Sequence, residues 1–328
     1  MVAAFLLLTA AVSFLIQPNY PSPVNLPNPN GYDDLMKAAQ MFVGELPECY
    51  WSQSLDDECV EATKGFLKTN SEALKLVRLG LSRESRVPIV YTTNYFSQHA
   101  SEYALLKRLA QNLAAEGKVA EKENRVDDAI QSHLDAARLH EKTRGGVLID
   151  SLVGIACEAI GVGALRKLSD QMTPPQRRTV IGTLSQMHTN RDSYDEIMAR
   201  EKRLIKAYGL REQFEYWTSF LSWRETSRNF ERKLNFVQAR CGLFLVDLGV
   251  RNFEADNNRQ PETLQELVPK YLPYLPKDDF SGSDFIYRPS TNGYQLYGVG
   301  PDGIDDGGKP FFKKGMNWPG DMLPNAQY

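Results

Sequence analysis

Apolar residues are concentrated at the very start of the chain. Residues 1–16, MVAAFLLLTAAVSFLI, carry no charge, and only Thr9 and Ser13 are polar. Such a run has the length of a signal-peptide apolar region and falls short of the roughly twenty residues that span a bilayer. No basic stretch precedes it, and the next residues, Gln17, Pro18, Asn19 and Tyr20, do not form a small-x-small cleavage site. The pattern predicts an uncleaved signal anchor, with a cleaved signal peptide and a buried core helix as alternatives. The bulk of the chain is then expected outside the cytoplasm, held to a bacterial cell membrane by one pass. Residues 17–31 follow with prolines at 18, 21, 23, 27 and 29. Each proline fixes φ and removes an amide donor, so this stretch reads as an extended tether.

Helical periodicity then dominates. Asp33 or Asp34 is placed to cap a helix through Met36, Ala39, Met41 and Phe42. A second helix is predicted over 57–81, where Phe66, Leu67, Ala73, Leu74, Val77 and Leu81 share one face. Residues 86–91 read as an extended connector around Pro88. Residues 101–139 read as two helices and a turn at 123–128, with Leu105, Leu106, Leu109 and Leu113 on the first helix and Ala129, Ile130, His133, Leu134 and Ala137 on the second. Residues 147–168, VLIDSLVGIACEAIGVGALRKL, are the most apolar internal stretch. Asp150 and Glu158 lack compensating charges within it, and a charge at a bilayer centre costs about 2.5–3.5 kcal/mol. The segment is therefore expected as a buried central helix whose glycines allow close crossings. Thr173, Pro174 and Pro175 cap the next helix. Residues 175–256 read as helical almost throughout, with one interruption near Tyr208 and Gly209. Trp217, Phe220, Leu221 and Trp223 read as a core aromatic cluster.

After residue 236 the pattern changes. A helix over 236–253 presents Val237, Cys241, Leu243, Phe244, Val246 and Leu248. A short helix is predicted after Pro261, through Leu264, Leu267 and Val268. A hairpin follows, with Phe285 and Tyr287 on one strand, Tyr294 and Leu296 on the other, and Asn292-Gly293 in the turn. The loop Asp302-Gly303-Ile304-Asp305-Asp306-Gly307-Gly308 follows directly. Three aspartates among glycines supply carboxylates and freely turned carbonyls, the donors that calcium takes six to eight at a time. The same residues also make ordinary solvated turns.

Composition narrows the functional classes. A net charge of -3 over 328 residues gives no footprint for nucleic acid. Mixed signs along 200–232 read as a solvated face. Four cysteines are too few for a disulfide scaffold. Cys49 and Cys59, flanking a short polar loop, are the candidates for one disulfide in an oxidising compartment, with two unrelated thiols as the alternative. Cys157 and Cys241 read as buried. The histidines, His99, His133, His140 and His188, fall into no catalytic or metal-ligand spacing. No small-molecule substrate is identified.

Two resemblances add to this reading. Gly117, Ala129 and Ala136 stand where a tetratricopeptide repeat has its small residues, so 101–139 resembles a single such repeat. One copy has no neighbour to stack on, and it is expected as a packing device, with a partner groove as the alternative. Residues 240–308 resemble the globular half of the major pseudopilin of type II secretion systems. The resemblance is carried by DNNRQPETLQELVPKYL, LPKDDF, the tyrosine-rich hairpin and YGVGPDGIDDGG. It implies a calcium ion wrapped by the last pieces, with Asp278, Asp302 and Asp305 as ligands and Asp306 as a further one. The chain departs from that family in having Asp279 where the family has proline, and in lacking its leader motif ahead of the apolar helix.

The expected protein is thus mainly α: a signal anchor or signal peptide at 1–16, a proline-rich tether at 17–31, an α-helical domain at 32–235 and a small α+β pseudopilin-like module with a β-hairpin at 236–328. Its expected role is structural or interaction-based, in an envelope or secretion-like assembly with envelope proteins as partners and calcium at the C-terminal loop. An envelope enzyme with its site in the helical domain, or a peptide-binding adaptor, are the alternatives.

Overall fold

The computed structural model describes residues 25–51, 55–92, 95–207, 220–291, 293–310 and 319–324, the side chains of 220–223 excepted. The anchor, most of the tether, the aromatic cluster at 217–223 and the break expected near 208–209 lie outside the described residues.

Nine α-helices and one hairpin are described: α1 (Gly31–Met41), α2 (Asp57–Thr69), α3 (Ser71–Ser82), α4 (Tyr95–Lys122), α5 (Val126–Lys142), α6 (Leu148–Leu168), α7 (Pro174–Thr189), α8 (Tyr194–Lys206) and α9 (Phe220–Asn257), then β1 (Ile286–Ser290) and β2 (Gly293–Tyr297). The cap of α1 is Asn30 rather than Asp33 or Asp34. Its amide oxygen accepts from the backbone N–H groups of Tyr32 and Arg86, so the same side chain starts the helix and fixes the 86–91 connector beside it. The single helix expected over 57–81 is two. Asn70 divides them because its side chain bonds both the N–H and the C=O of Val43, an exchange that a continuous helix could not offer. Thr173 caps α7 with Pro174 and Pro175 in the first turn, and Gln176 returns a bond to the Thr173 N–H. A break at 190–193 divides the helix expected beyond it. Ser193 and Glu196 form a capping box that restarts the chain as α8. The short helix after Pro261 is a 3₁₀ turn, Leu264–Leu267, capped by Thr263 rather than opened by the proline.

The antiparallel pair α4–α5 stands at the centre and α6 packs along both. Close crossings make this possible. A Cβ on Gly117 of α4 would lie 2.3 Å from the His133 ring of α5, and one on Gly161 of α6 would lie 2.4 Å from the His133 carbonyl and 2.5 Å from the Ala137 nitrogen. Helix α5 is thus pressed between glycines from both neighbours, with Ala129, Ala136 and Ala137 fully buried. One core lies between α1–α4 and the α4–α5–α6 layer. A second joins α5, α6 and α7 to α9, the 3₁₀ turn and the hairpin, and a smaller third lies between α6, α8 and α9.

Helix α9 is the axis of the second core. From Cys241 to Val250 every residue is buried, as befits a helix apolar all round. Gly242 lets Pro276 and Phe285 approach, and Gly249 does the same for Leu272. The hairpin register pairs Tyr287 with Leu296 and Pro289 with Tyr294. The Tyr294 hydroxyl donates to the buried Asp247 of α9 (2.7 Å), whose other oxygen meets Arg251 Nε (2.9 Å). The boundary expected at 235/236 falls inside α9, and the second core is shared by residues on both sides of it.

Among the described residues one helical stretch, Leu148–Gln171, is long and apolar enough to cross a membrane by length and composition. Here it packs into the core, and each of its three carboxylates has a partner from elsewhere in the fold, Asp170 meeting Arg251 at 2.5 Å. The Asp150 Oδ2 accepts from the Tyr95 hydroxyl (2.9 Å) and the Val147 N–H (2.8 Å), and Glu158 pairs with Arg191.

The α5–α6 crossing yields a paired test. At Gly161 an added methyl meets backbone, whereas at Gly163, two residues on, nothing lies within 4 Å. Gly161→Ala should lower stability by about 1–3 kcal/mol through overpacking, and Gly163→Ala should raise it by up to about 1 kcal/mol through helix propensity. Urea melts of the two variants decide; effects of the same sign would refute the close crossing.

Candidate functional site

The C-terminal loop is shaped by glycines at positive φ, namely Gly300, Gly303, Gly307 and Gly308, with φ from 68° to 85°. Its aspartates are occupied as hydrogen-bond acceptors. Asp302 accepts from the N–H groups of Ile304 (3.2 Å) and Gly320 (3.3 Å). Asp305 accepts from the Gly307 N–H (2.9 Å) and the Tyr297 hydroxyl (3.0 Å), and the loop's own amide bonds hold its carboxyl below the usual range. Asp306 contributes its N–H, to Asp321. Asp278 is set apart and buried. It accepts from the N–H groups of Phe280 (3.0 Å) and Val299 (2.9 Å) and from the Ser281 hydroxyl (3.3 Å).

The arrangement therefore brings Asp302, Asp305 and Asp306 onto one loop and directs Asp278 into a turn of its own. Among the described residues no three His, Cys, Asp or Glu side chains are gathered as metal ligands. As placed, the four expected residues do not form the converging oxygen shell that calcium requires. A fifth carboxylate takes the central place. Asp321, 0% exposed, accepts from the N–H groups of Asp306 (3.2 Å) and Gly308 (2.6 Å). It lies thirteen residues beyond the loop, in a stretch with no apolar period to mark it.

Cys49 and Cys59 are joined as a disulfide, with Cα atoms 5.8 Å apart, between a 3₁₀ turn (Glu48–Trp51) and the first turn of α2. Cys157 and Cys241 are free and buried, and burial pushes both thiols up to about 12.

The densest group of ionisable side chains lies where α5, α6 and the end of α7 meet α9 and the LPKDDF turn. Arg191 and Glu158 form an ion pair whose side chains are 4% and 1% exposed. His140 Nδ1 stands 3.3 Å from the other Glu158 oxygen, and burial pushes this imidazole below its ordinary range, with the carboxylate opposing. His188 shares a 2.9 Å hydrogen bond with the Tyr274 hydroxyl and stacks on its ring. Burial, then the Arg191 charge, pushes His188 down to about 4. Asp279, which stands where the pseudopilin pattern has proline, is pushed up to about 6 by burial, with the Arg191 charge opposing. The sequence hid this cluster because its members come from four separate segments.

On the tetratricopeptide-like pair, Gly117, Ala129 and Ala136 are all buried at helix crossings. Its faces are covered by α1, α2, α3, α6 and α7. None of the large exposed hydrophobic side chains among the described residues falls within 101–139. A surface cleft of about 660 Å³ runs between α9, β2 and the C-terminal stretch, floored by Asp247, Arg251 and Tyr294.

In comparisons with protein-family models, curated proteins and solved structures, nothing matches this chain.

Two tests follow from the buried cluster. Removing one partner of a buried pair strands the other, so Glu158→Gln or Arg191→Met alone should cost about 3–5 kcal/mol. The double variant Glu158→Leu, Arg191→Met should recover much of that loss. Denaturant midpoints measure all three, and additive losses would show that the charges are not paired. The second test concerns pH. Between about 6.5 and 4 the unfolded chain takes a proton at residue 188 that the folded chain refuses, so this residue makes stability fall as pH falls. His188→Asn removes that slope. The wild-type advantage over the variant, measured as Tm, should narrow from pH 7 to pH 4.5; a constant gap would mean that His188 titrates normally.

Proposed function

We propose that this chain is an extracytoplasmic structural or interaction protein, tethered to a bacterial membrane by residues 1–16. The disulfide between Cys49 and Cys59 carries the reading, because such bonds persist in oxidising compartments. The apolar start and the proline-rich stretch after it agree with that placement. The structural rather than enzymatic role is supported by the burial of the charged cluster, whose Arg191 and Glu158 side chains are 4% and 1% exposed. An adaptor role is less well supported, because the faces of the tetratricopeptide-like pair are taken by this chain's own helices.

The pseudopilin-like pattern adds an envelope or secretion-like assembly as the setting. Support for calcium is confined to composition: three aspartates lie on one glycine-turned loop, but their hydrogen bonds run to amides and hydroxyls.

The compartment is tested by trapping thiols with an alkylating agent during lysis of expressing cells, followed by non-reducing peptide mapping and membrane fractionation. A crosslinked Cys49–Cys59 peptide in the membrane fraction is expected. Full alkylation of both residues, or recovery in the cytosolic fraction, would defeat the proposal.

A further inference from the structure

Two N–H groups of the C-terminal loop are directed at a carboxylate from outside the loop. The N–H groups of Asp306 and Gly308 converge on the Asp321 carboxylate, a small nest of amide dipoles that favours negative charge at its centre and opposes burial and the Asp305 and Asp306 charges, which push the Asp321 carboxyl up. The stretch carrying Asp321 is fixed on both sides. Met322 exchanges two backbone bonds with Gly298, at 3.0 and 2.8 Å, and its side chain is fully buried in the second core. The Asp321 N–H donates to the Lys309 carbonyl (2.6 Å), and the Leu323 carbonyl accepts from Arg166 of α6 (3.2 Å). The strap lies so close to the loop that a Cβ on Gly300 would be 2.2 Å from the Gly320 carbonyl. Asp302 reaches back to the Gly320 N–H, so loop and strap each hold the other by a carboxylate–amide bond.

We propose that Asp321 closes this loop in place of a metal ion: the chain supplies its own anion to the nest, and the strap of residues 320–323 locks the C-terminal module to α6 without calcium. Asp278, a calcium ligand by resemblance, does the equivalent work one turn away by joining the LPKDDF turn to Val299. Asp302, Asp305 and Asp306 then shape the turn rather than ligate.

The test is thermal unfolding of the full chain in EGTA and in millimolar calcium chloride, for the wild type, Asp321→Asn and Asp302→Asn. The wild-type Tm should be the same in both solutions. Asp321→Asn, which sets an amide against two N–H donors, should lower Tm by a few degrees in both. A wild-type Tm that rises with calcium, with the rise lost in Asp302→Asn, would overturn the proposal in favour of a metal loop. An unchanged Tm for Asp321→Asn would also overturn it. If that variant does not fold, amide hydrogen exchange of the wild type decides. Protection at residues 306 and 308 in EGTA supports closure by Asp321; protection that appears only with calcium refutes it.

Discussion

The close approach of α4, α5 and α6 is the constraint on which the rest of the structure depends. Backbones can come this near only where Cβ atoms are missing, and Gly117 and Gly161 remove them on opposite sides of His133. With that layer set, α1, α2 and α3 have a surface to cover on one side, and α7 and α9 have one on the other. The tetratricopeptide-like spacing is a record of this need. Small residues fall where helices cross, and in this chain the surfaces beyond those crossings are filled from within.

Such tight apolar packing raises the cost of every polar group it encloses. Asp150, Glu158 and Asp247 each sit in a buried, largely apolar stretch of helix, and each meets a partner from a distant segment: Tyr95, Arg191 and Tyr294, with Arg251 joining Asp247 from the next turn of α9. These bonds specify which face of each helix meets which neighbour, a choice that burial of alkyl surface leaves open. The Glu158–Arg191 pair does this at the point where the helical layer meets the LPKDDF turn.

What could be read in advance follows the range of the interactions. The Thr173–Pro174–Pro175 start, the burial of α6 and the pairing of Tyr287 with Leu296 rest on local periodicity and turn chemistry, and they appear where the residues indicate; the turn expected at 123–128 is shorter, because helix resumes at Val126, and Phe285 falls just before β1. The break at Asn70 does not, because its cause is Val43, twenty-seven residues away. The Ser193–Glu196 cap is a local signal, with Thr189, Asn190 and Asp192 before it, that the helical reading of 175–256 passes over. The candidate site divides in the same way. The loop aspartates are conspicuous, whereas Asp321, the residue at the loop's centre, and the members of the Arg191 cluster are brought in by the path of the chain.

Helix α9 adds a consequence for the way the fold opens. At 38 residues it is about 57 Å long, and it carries the hairpin and the LPKDDF turn on the same buried turns that close the helical layer. Damage at the C-terminal end would therefore not stay there. Opening the hairpin or the LPKDDF turn would uncover buried turns of α9 that also belong to the core shared with α6 and α7, so the C-terminal module and the helical layer would loosen together.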